Sequence, residues 1–166
     1  MATVTLQGNA LHTNGELPAP GTRAPDFKLV DAELNDRTLA DYSGKKKLLN
    51  IVPSLDTPVC ATSTRKFNEF AAERDDVVML MVSADLPFAQ KRFCDEAGTE
   101  RVIPLSMMRS RNFAKDYGVL LTDGPLAGIT ARAVVVLDEN DKVIYTELVP
   151  EIANEPNYEA ALEALK

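Results

Sequence analysis

Short apolar runs bounded by polar and turn residues recur along this chain, and each has the length of a buried β-strand. They predict strands at residues 27–30, 48–52, 77–83, 133–137 and 143–148. The last two runs are joined by Asp-Glu-Asn-Asp, which is typical of a hairpin turn. Alternation over residues 3–6, followed by Gly8 and Asn9, predicts a further short hairpin at the start of the chain.

Helical spacing of apolar residues separates these runs. The predicted helices begin near Thr57, cover residues 86–97 and 112–117, and close the chain from Tyr158. We expect Asp85 to cap the second helix and Gly98 to end it. Strands that alternate with helices predict one α/β domain over residues 1–166, with a mixed central sheet and helices on both faces.

The composition is that of an ordinary globular protein, with 45% hydrophobic and 26% charged residues among 166. Acidic residues outnumber basic ones by 25 to 18, so we expect no nucleic-acid partner. The one lysine cluster, residues 45–47, precedes an apolar strand and is expected at its solvated end. The first residues lack the pattern of a secretory signal, and the longest apolar run is too short to cross a bilayer. We therefore expect no membrane association and a cytoplasmic location.

Residues 53–60, Pro-Ser-Leu-Asp-Thr-Pro-Val-Cys, place one of the two cysteines at the start of a predicted helix. Thr57 is a favourable N-cap, whose side-chain oxygen can accept a first-turn N–H while its O–H donates to the sulfur or to a bound oxygen. Pro58 suits the first helical position. Cys60 then lies within the first turn, where free amides and the helix dipole favour an anionic sulfur. An unpaired cysteine is often only a small buried hydrophobe, but this combination predicts a reactive thiolate.

Arg132 stands beside the fully apolar run 133–137, where an arginine is poorly placed unless its charge has a partner. Two interpretations are open. The side chain either reaches solvent at the strand end or lies beside Cys60, where it would stabilise the thiolate and donate to an oxygen substrate. Pro53 similarly either ends the preceding strand or shields the sulfur from water.

The second cysteine, Cys94, lies on the predicted helix 86–97. It is either a half-buried helical residue or a thiol that pairs with Cys60. A disulfide requires the two Cα atoms to lie within roughly 7 Å, so the cysteines are either neighbours or their helices partly unwind. We expect unwinding, because a first helical turn opens easily. One histidine, His12, and two separated cysteines predict no zinc site.

Three segments of the chain resemble a known family. The spacing Pro53-x-x-x-Thr57-x-x-Cys60 is similar to the active-site signature of peroxiredoxins. The segments that contain Cys94 and Arg132 resemble those of the bacterial thiol peroxidases, which are atypical two-cysteine peroxiredoxins. The resemblance implies a thioredoxin-like fold with an added N-terminal hairpin and a homodimer whose interface borders the active site. It also implies reduction of hydroperoxides, organic ones preferentially, with thioredoxin as the reductant.

The same resemblance implies a role for each candidate residue. Cys60 would be the peroxidatic cysteine and Cys94 the resolving one, and the two would form an intramolecular disulfide during turnover. Thr57 and Arg132 would activate the thiolate, and Pro53 would shield it. This chemistry requires no metal, haem or flavin.

Two other functions are open on the sequence. The segment Cys60-Ala-Thr-Ser is similar to the Cys-x-x-Ser of monothiol glutaredoxins, although a thiol exchanger gives Thr57 and Arg132 no clear role. A non-enzymatic redox sensor would instead report the bond between Cys60 and Cys94 to a partner.

Overall fold

A seven-stranded mixed sheet forms the centre of the computed structural model, which describes residues 1–166. The strands outside the sheet are β1 (Thr3–Leu6) and β2 (Asn9–His12), which pair as the predicted antiparallel hairpin. The sheet strands are β3 (Leu29–Val30), β4 (Asp36–Arg37), β5 (Lys46–Ile51), β6 (Val77–Ser83), β7 (Val102–Ser106), β8 (Ala133–Leu137) and β9 (Val143–Leu148). Their order is β4-β3-β7-β6-β5-β8-β9. Only the β5–β6 and β6–β7 pairs are parallel, so the sheet is mixed, as predicted.

Helices cover both faces of the sheet. They are α1 (Pro58–Ala71), α2 (Pro87–Ala97), α3 (Asn112–Asp116) and α4 (Tyr158–Ala164), and a 3₁₀ helix spans Leu39–Tyr42. The parallel strands are joined by α1 and α2, and right-handed crossovers place these two helices on the same face. Phe67 and Phe93 accordingly pack into one apolar cluster together with α4, whereas Phe113 of α3 packs into a second cluster on the other face. None of the helices combines the length and the apolar character needed to cross a membrane.

The start of α2 differs from the prediction by one residue. Leu86, with extended backbone angles, is the N-cap, and Pro87 is the first helical residue. Because a residue before proline disfavours the helical conformation, Leu86 cannot join the helix and Asp85 does not cap it. Gly98 ends the helix in the left-handed conformation, with φ 69°, as predicted.

The strand β7 has no counterpart in the sequence analysis because it contains a proline. Pro104 lies opposite Met81 of β6, but β3 pairs with β7 only at Ser106. The proline therefore occupies a stretch of strand that is paired on one side only, which is where strands tolerate a residue without an N–H.

The prediction that the lysine cluster lies at a solvated strand end is wrong for Lys47. Its side chain is fully buried, and Nζ donates to an Asp141 carboxylate oxygen at 2.5 Å and to the Lys45 carbonyl oxygen at 3.1 Å. Side chains alternate between the two faces of a strand. Since β5 already begins at Lys46, Lys47 points inward and needs the Asp141 carboxylate as a counter-ion.

Candidate active site

Cys60 is the third residue of α1 and lies in the first turn of this helix. Cys60 has no exposed surface and packs in the apolar cluster beneath α1 and α4. The main-chain N–H groups of Val59 and Cys60 have no acceptor within the protein, as expected for the first turn of a helix. The sulfur therefore combines complete burial with two free amide donors nearby.

Arg132 precedes β8, the strand that pairs with β5, and its side chain reaches under the start of α1. Nη1 donates to Cys60 Sγ at 2.8 Å, and Nε donates to the Ile152 carbonyl oxygen at 2.8 Å. Only 1% of the arginine is exposed, so the solvent-facing interpretation of this residue is wrong. The guanidinium makes no hydrogen bond to a carboxylate, and the Cys60 sulfur is the only side-chain atom that accepts a hydrogen bond from it.

The carbonyl oxygen that holds Arg132 belongs to a loop that is anchored by the N-terminal hairpin. Glu151 precedes Ile152, and its carboxylate accepts hydrogen bonds from the main-chain N–H groups of Ala153 and Gly8, both at 2.9 Å. These bonds lower the pKa of Glu151 to about 2. The hairpin thus supports the loop that orients the guanidinium.

Thr57 occupies the N-cap position, with extended backbone angles, but its side chain does not cap the helix. Its Oγ1 donates to the Ser54 carbonyl oxygen at 3.1 Å instead of accepting a first-turn N–H. The predicted cap hydrogen bond is therefore wrong, because the hydroxyl is turned towards the loop carbonyl and no first-turn N–H reaches its oxygen. The half-buried Thr57 side chain leaves the first-turn amides free for another oxygen.

The strand β5 ends at Ile51, and Pro53 follows two residues later, where it is buried. Thr130 Oγ1 donates to the Val52 carbonyl oxygen at 3.1 Å, which joins this point to the segment leading to Arg132. Burial of Pro53 is compatible with both of its interpretations, the end of the strand and the shielding of the sulfur.

Asp85 was predicted only as a helix cap, but its side chain lies against the loop before α1. Its carboxylate accepts hydrogen bonds from Ser54 Oγ at 2.8 Å and from the Leu55 main-chain N–H at 2.9 Å. Ser83 Oγ donates to the same carboxylate at 2.7 Å. Ser54 and Asp85 are 31 positions apart, so no local pattern indicates this contact.

Cys94 lies on α2, on the same face of the sheet as Cys60, and both cysteines are free thiols. Cys94 is 8% exposed and borders a polar cleft of about 260 Å³. Burial raises the pKa of the Cys94 thiol. The structure therefore groups Cys60, Arg132 and the loop before α1, and leaves Cys94 on the neighbouring helix as a protonated thiol.

A second cleft, of about 500 Å³, opens beside the first turn of α1. It is lined by Pro58, Val59, Thr62, Ala153, Asn154 and Glu155. Tyr158, at the start of α4, packs edge-to-face on Phe67 and donates from its hydroxyl to Glu155 at 2.9 Å. Burial and the bond to Glu155 raise the pKa of Tyr158. The sequence indicated Tyr158 only as the start of an amphipathic helix.

Known proteins resemble this chain over nearly its whole length. The Redoxin family profile matches residues 19–162. A thiol peroxidase of Mycobacterium bovis is 58% identical over 165 residues, which cover 99% of each chain. The crystal structure of a peroxiredoxin-like protein from Aquifex aeolicus is 44% identical, with a TM-score of 0.91 over 99% of this chain and 96% of that one. A thiol peroxidase from Chromobacterium violaceum is 28% identical, with a TM-score of 0.90 over 98% and 94% of the two chains.

Proposed function

The chain belongs to the Redoxin family as a thiol peroxidase with the thioredoxin-like fold of peroxiredoxins, and we propose that Cys60 is its peroxidatic cysteine. The observation that carries this proposal is the contact between the Arg132 guanidinium and the Cys60 sulfur. A buried cation without a counter-ion is strongly unfavourable. Because no carboxylate takes that place, the sulfur serves as the anion, and it reacts as a thiolate.

The first step is an attack of the Cys60 thiolate on the terminal oxygen of a hydroperoxide. An S–O bond forms, the O–O bond breaks, and the sulfur loses two electrons to give a sulfenic acid. The departing alkoxide takes up a proton and leaves as an alcohol, or as water when the substrate is hydrogen peroxide.

Arg132 and the first-turn amides stabilise the charge that develops on the departing oxygen. A guanidinium has five N–H donors, and two of them hold the Cys60 sulfur and the Ile152 carbonyl oxygen. The remaining donors, together with the N–H groups of Val59 and Cys60, are already oriented when the substrate arrives. Thr57 completes the activating pair with Arg132 when its hydroxyl turns from the Ser54 carbonyl oxygen towards the peroxide.

The cleft beside the first turn of α1 is the proposed entrance for the substrate. Cys60 itself has no exposed surface, so a peroxide reaches the sulfur only when this turn moves slightly. Pro58, Val59 and Ala153 line the cleft with apolar atoms. These atoms favour an organic hydroperoxide, whose carbon chain they would contact, over hydrogen peroxide. We assign to Pro53, which is buried after the end of β5, the role of shielding the sulfur from water.

The second step joins Cys60 to Cys94. The Cys94 thiol condenses with the sulfenic acid, so that an S–S bond forms, the S–O bond breaks, and water leaves. Both cysteines are buried on separate helices, so the first turn of α1 opens for this step. The raised pKa of the Cys94 thiol keeps it protonated, and a protonated thiol does not compete with Cys60 for peroxide.

A dithiol then restores the enzyme by thiol–disulfide exchange. We assign this role to thioredoxin, and we place the cycle in the cytoplasm, within one domain over residues 1–166 and without a metal or organic cofactor. A redox sensor remains the alternative, since it would form the same disulfide without rapid recycling.

Titration of the reduced protein with one equivalent of cumene hydroperoxide tests the proposed cycle. We expect a mass loss of two hydrogens and a peptide that links Cys60 to Cys94. Thioredoxin and its reductase should then sustain turnover over many equivalents. Retention of an added oxygen without the linked peptide would contradict the second step, and turnover that stops after one equivalent with thioredoxin present would favour the sensor.

The proposed homodimer has a candidate contact surface at the start of α2. Leu86 and Phe88 are 53% and 66% exposed, and they lie one and three positions after Asp85, which holds the loop before Cys60. An exposed aromatic residue at this position favours association with a second copy of the chain. We expect sedimentation velocity to show a dimer and Phe88→Glu to shift it to the monomer. Ile144→Glu, at an exposed position on β9, is the matched control and should leave the dimer intact.

A further inference from the structure

One carboxylate connects the two segments of the chain that carry the cysteines. Residues 53–57 form the loop before Cys60, which we call the nucleophile loop. Asp85 accepts hydrogen bonds from two groups of this loop, the Ser54 hydroxyl at 2.8 Å and the Leu55 main-chain N–H at 2.9 Å. Hydrogen bonds to an ionised carboxylate are stronger than those between neutral groups.

The same carboxylate is linked to the helix of Cys94. Ser83 Oγ donates to it at 2.7 Å, and the Gln90 Nε2 group donates to that serine oxygen at 3.0 Å. Gln90 is fully buried, lies one helical turn before Cys94, and also donates to the Leu105 carbonyl oxygen at 3.0 Å. A continuous set of hydrogen bonds therefore runs from the nucleophile loop to α2.

Ser54 passes the effect of Asp85 on to the first turn of α1. Its carbonyl oxygen accepts the Thr57 hydroxyl at 3.1 Å, and its own hydroxyl oxygen accepts the Asp56 main-chain N–H at 3.2 Å. Release of Ser54 thus removes the support of the N-cap residue Thr57, which lies three positions before Cys60.

We propose that Asp85 is a positioning residue that controls the opening of the nucleophile loop. While the carboxylate holds Ser54 and Leu55, the Cys60 turn stays folded against Arg132 and reacts with peroxide. When it releases them, the turn opens and Cys60 meets Cys94. Asp85 is only half-buried, so water hydrates the carboxylate after release and the opening is reversible. The inference rests on the proposed roles of the two cysteines.

Asp85→Asn separates the two steps of the cycle. An amide has a single acceptor oxygen and cannot serve the three donors that meet at the carboxylate. We expect the folded turn to be less populated, so that the rate constant for sulfenic acid formation falls about tenfold, the factor for loss of one charge-assisted hydrogen bond. The division of the sulfenic acid between disulfide and sulfinic acid should change in favour of the disulfide. More of it should form the disulfide and less the sulfinic acid, so that inactivation requires a peroxide concentration higher by about threefold or more.

Two further variants keep the test decisive. Asp138→Asn removes another half-buried carboxylate that accepts two main-chain N–H groups, in the turn between β8 and β9, and should change neither quantity. Ser54→Ala removes a single bond to Asp85 and should show the same opposed changes in a smaller degree, even if Asp85→Asn folds poorly. For each variant, stopped-flow kinetics gives the rate constant for sulfenic acid formation, and mass spectrometry gives the amount of sulfinic acid.

The failure of this inference is distinct from the failure of the proposed function. If the unmodified protein forms no bond between Cys60 and Cys94, the proposed function fails. If it forms that bond, but Asp85→Asn behaves like Asp138→Asn or loses both steps in parallel, Asp85 has only a structural role and the inference is overturned.

Discussion

Cys60→Ser protein will consume no hydroperoxide, whereas Cys94→Ser protein will consume the first equivalent per chain rapidly and will not turn over. A serine hydroxyl at position 60 is a far weaker nucleophile than a thiolate, so the first step is lost. Without Cys94, the sulfenic acid at Cys60 has no intramolecular thiol to condense with, and thioredoxin-dependent turnover is lost.

Peroxide consumption, followed by mass spectrometry of the products, distinguishes the two variants. We expect a sulfenic acid at Cys60 in the Cys94→Ser protein, which a sulfenic-acid trapping reagent captures, and a sulfinic acid when peroxide is in excess. In the Cys60→Ser protein, the thiol of Cys94 should remain unoxidised. Sustained thioredoxin-dependent turnover in either variant would contradict the roles that we propose for these residues.

Arg132→Met will lower the second-order rate constant with cumene hydroperoxide by about 10²–10³-fold, the range for loss of one oriented donor to a developing negative charge. The substitution removes the donor that lies 2.8 Å from the sulfur and keeps an apolar side chain of similar length. The thiolate then loses its counter-ion, and the departing oxygen loses the guanidinium donors and keeps only the first-turn amides. Stopped-flow measurement of the first equivalent isolates this step from recycling.

Two controls separate the chemistry from folding. Arg132→Lys retains the charge without the forked donors and should recover part of the lost rate. Lys47→Met removes the other buried cation, whose partner is Asp141. It should lower the free energy of unfolding and leave the rate constant unchanged. Equal rates in Arg132→Met and the unmodified protein would contradict a role for the guanidinium.

The start of α1 was predictable because its signals are local. Thr57 and Pro58 are adjacent in the chain, and each favours its own position at a helix start, so the place of Cys60 in the first turn follows from a few residues. The apolar runs were similarly informative, since β6 and β8 are buried on both faces and contain almost no polar residue. For Arg132, the sequence left the partner open, and the three-dimensional arrangement identified it.

The remaining features depend on contacts between distant parts of the chain. Asp85 stands just before an amphipathic helix and has the pattern of its N-cap. Only the approach of Ser54, which is distant in the chain, makes Asp85 the acceptor of the nucleophile loop. Lys47 looked solvated because its neighbours are lysines, whereas its partner Asp141 lies 94 positions away. The hydroxyl of Thr57 donates to the Ser54 carbonyl oxygen in the loop before the helix. The sequence pattern of a helix start does not predict this contact.

The most direct test is to compare how fast Cys60 reacts with cumene hydroperoxide in the folded and in the denaturant-unfolded Cys94→Ser protein, at the same pH. If the fold holds this sulfur as an anion beside Arg132, the folded protein should react faster by at least about 10²-fold, the lower end of the range for oriented donors. Equal rate constants in the two states would contradict the proposed mechanism, because the sulfur would then react as an ordinary cysteine.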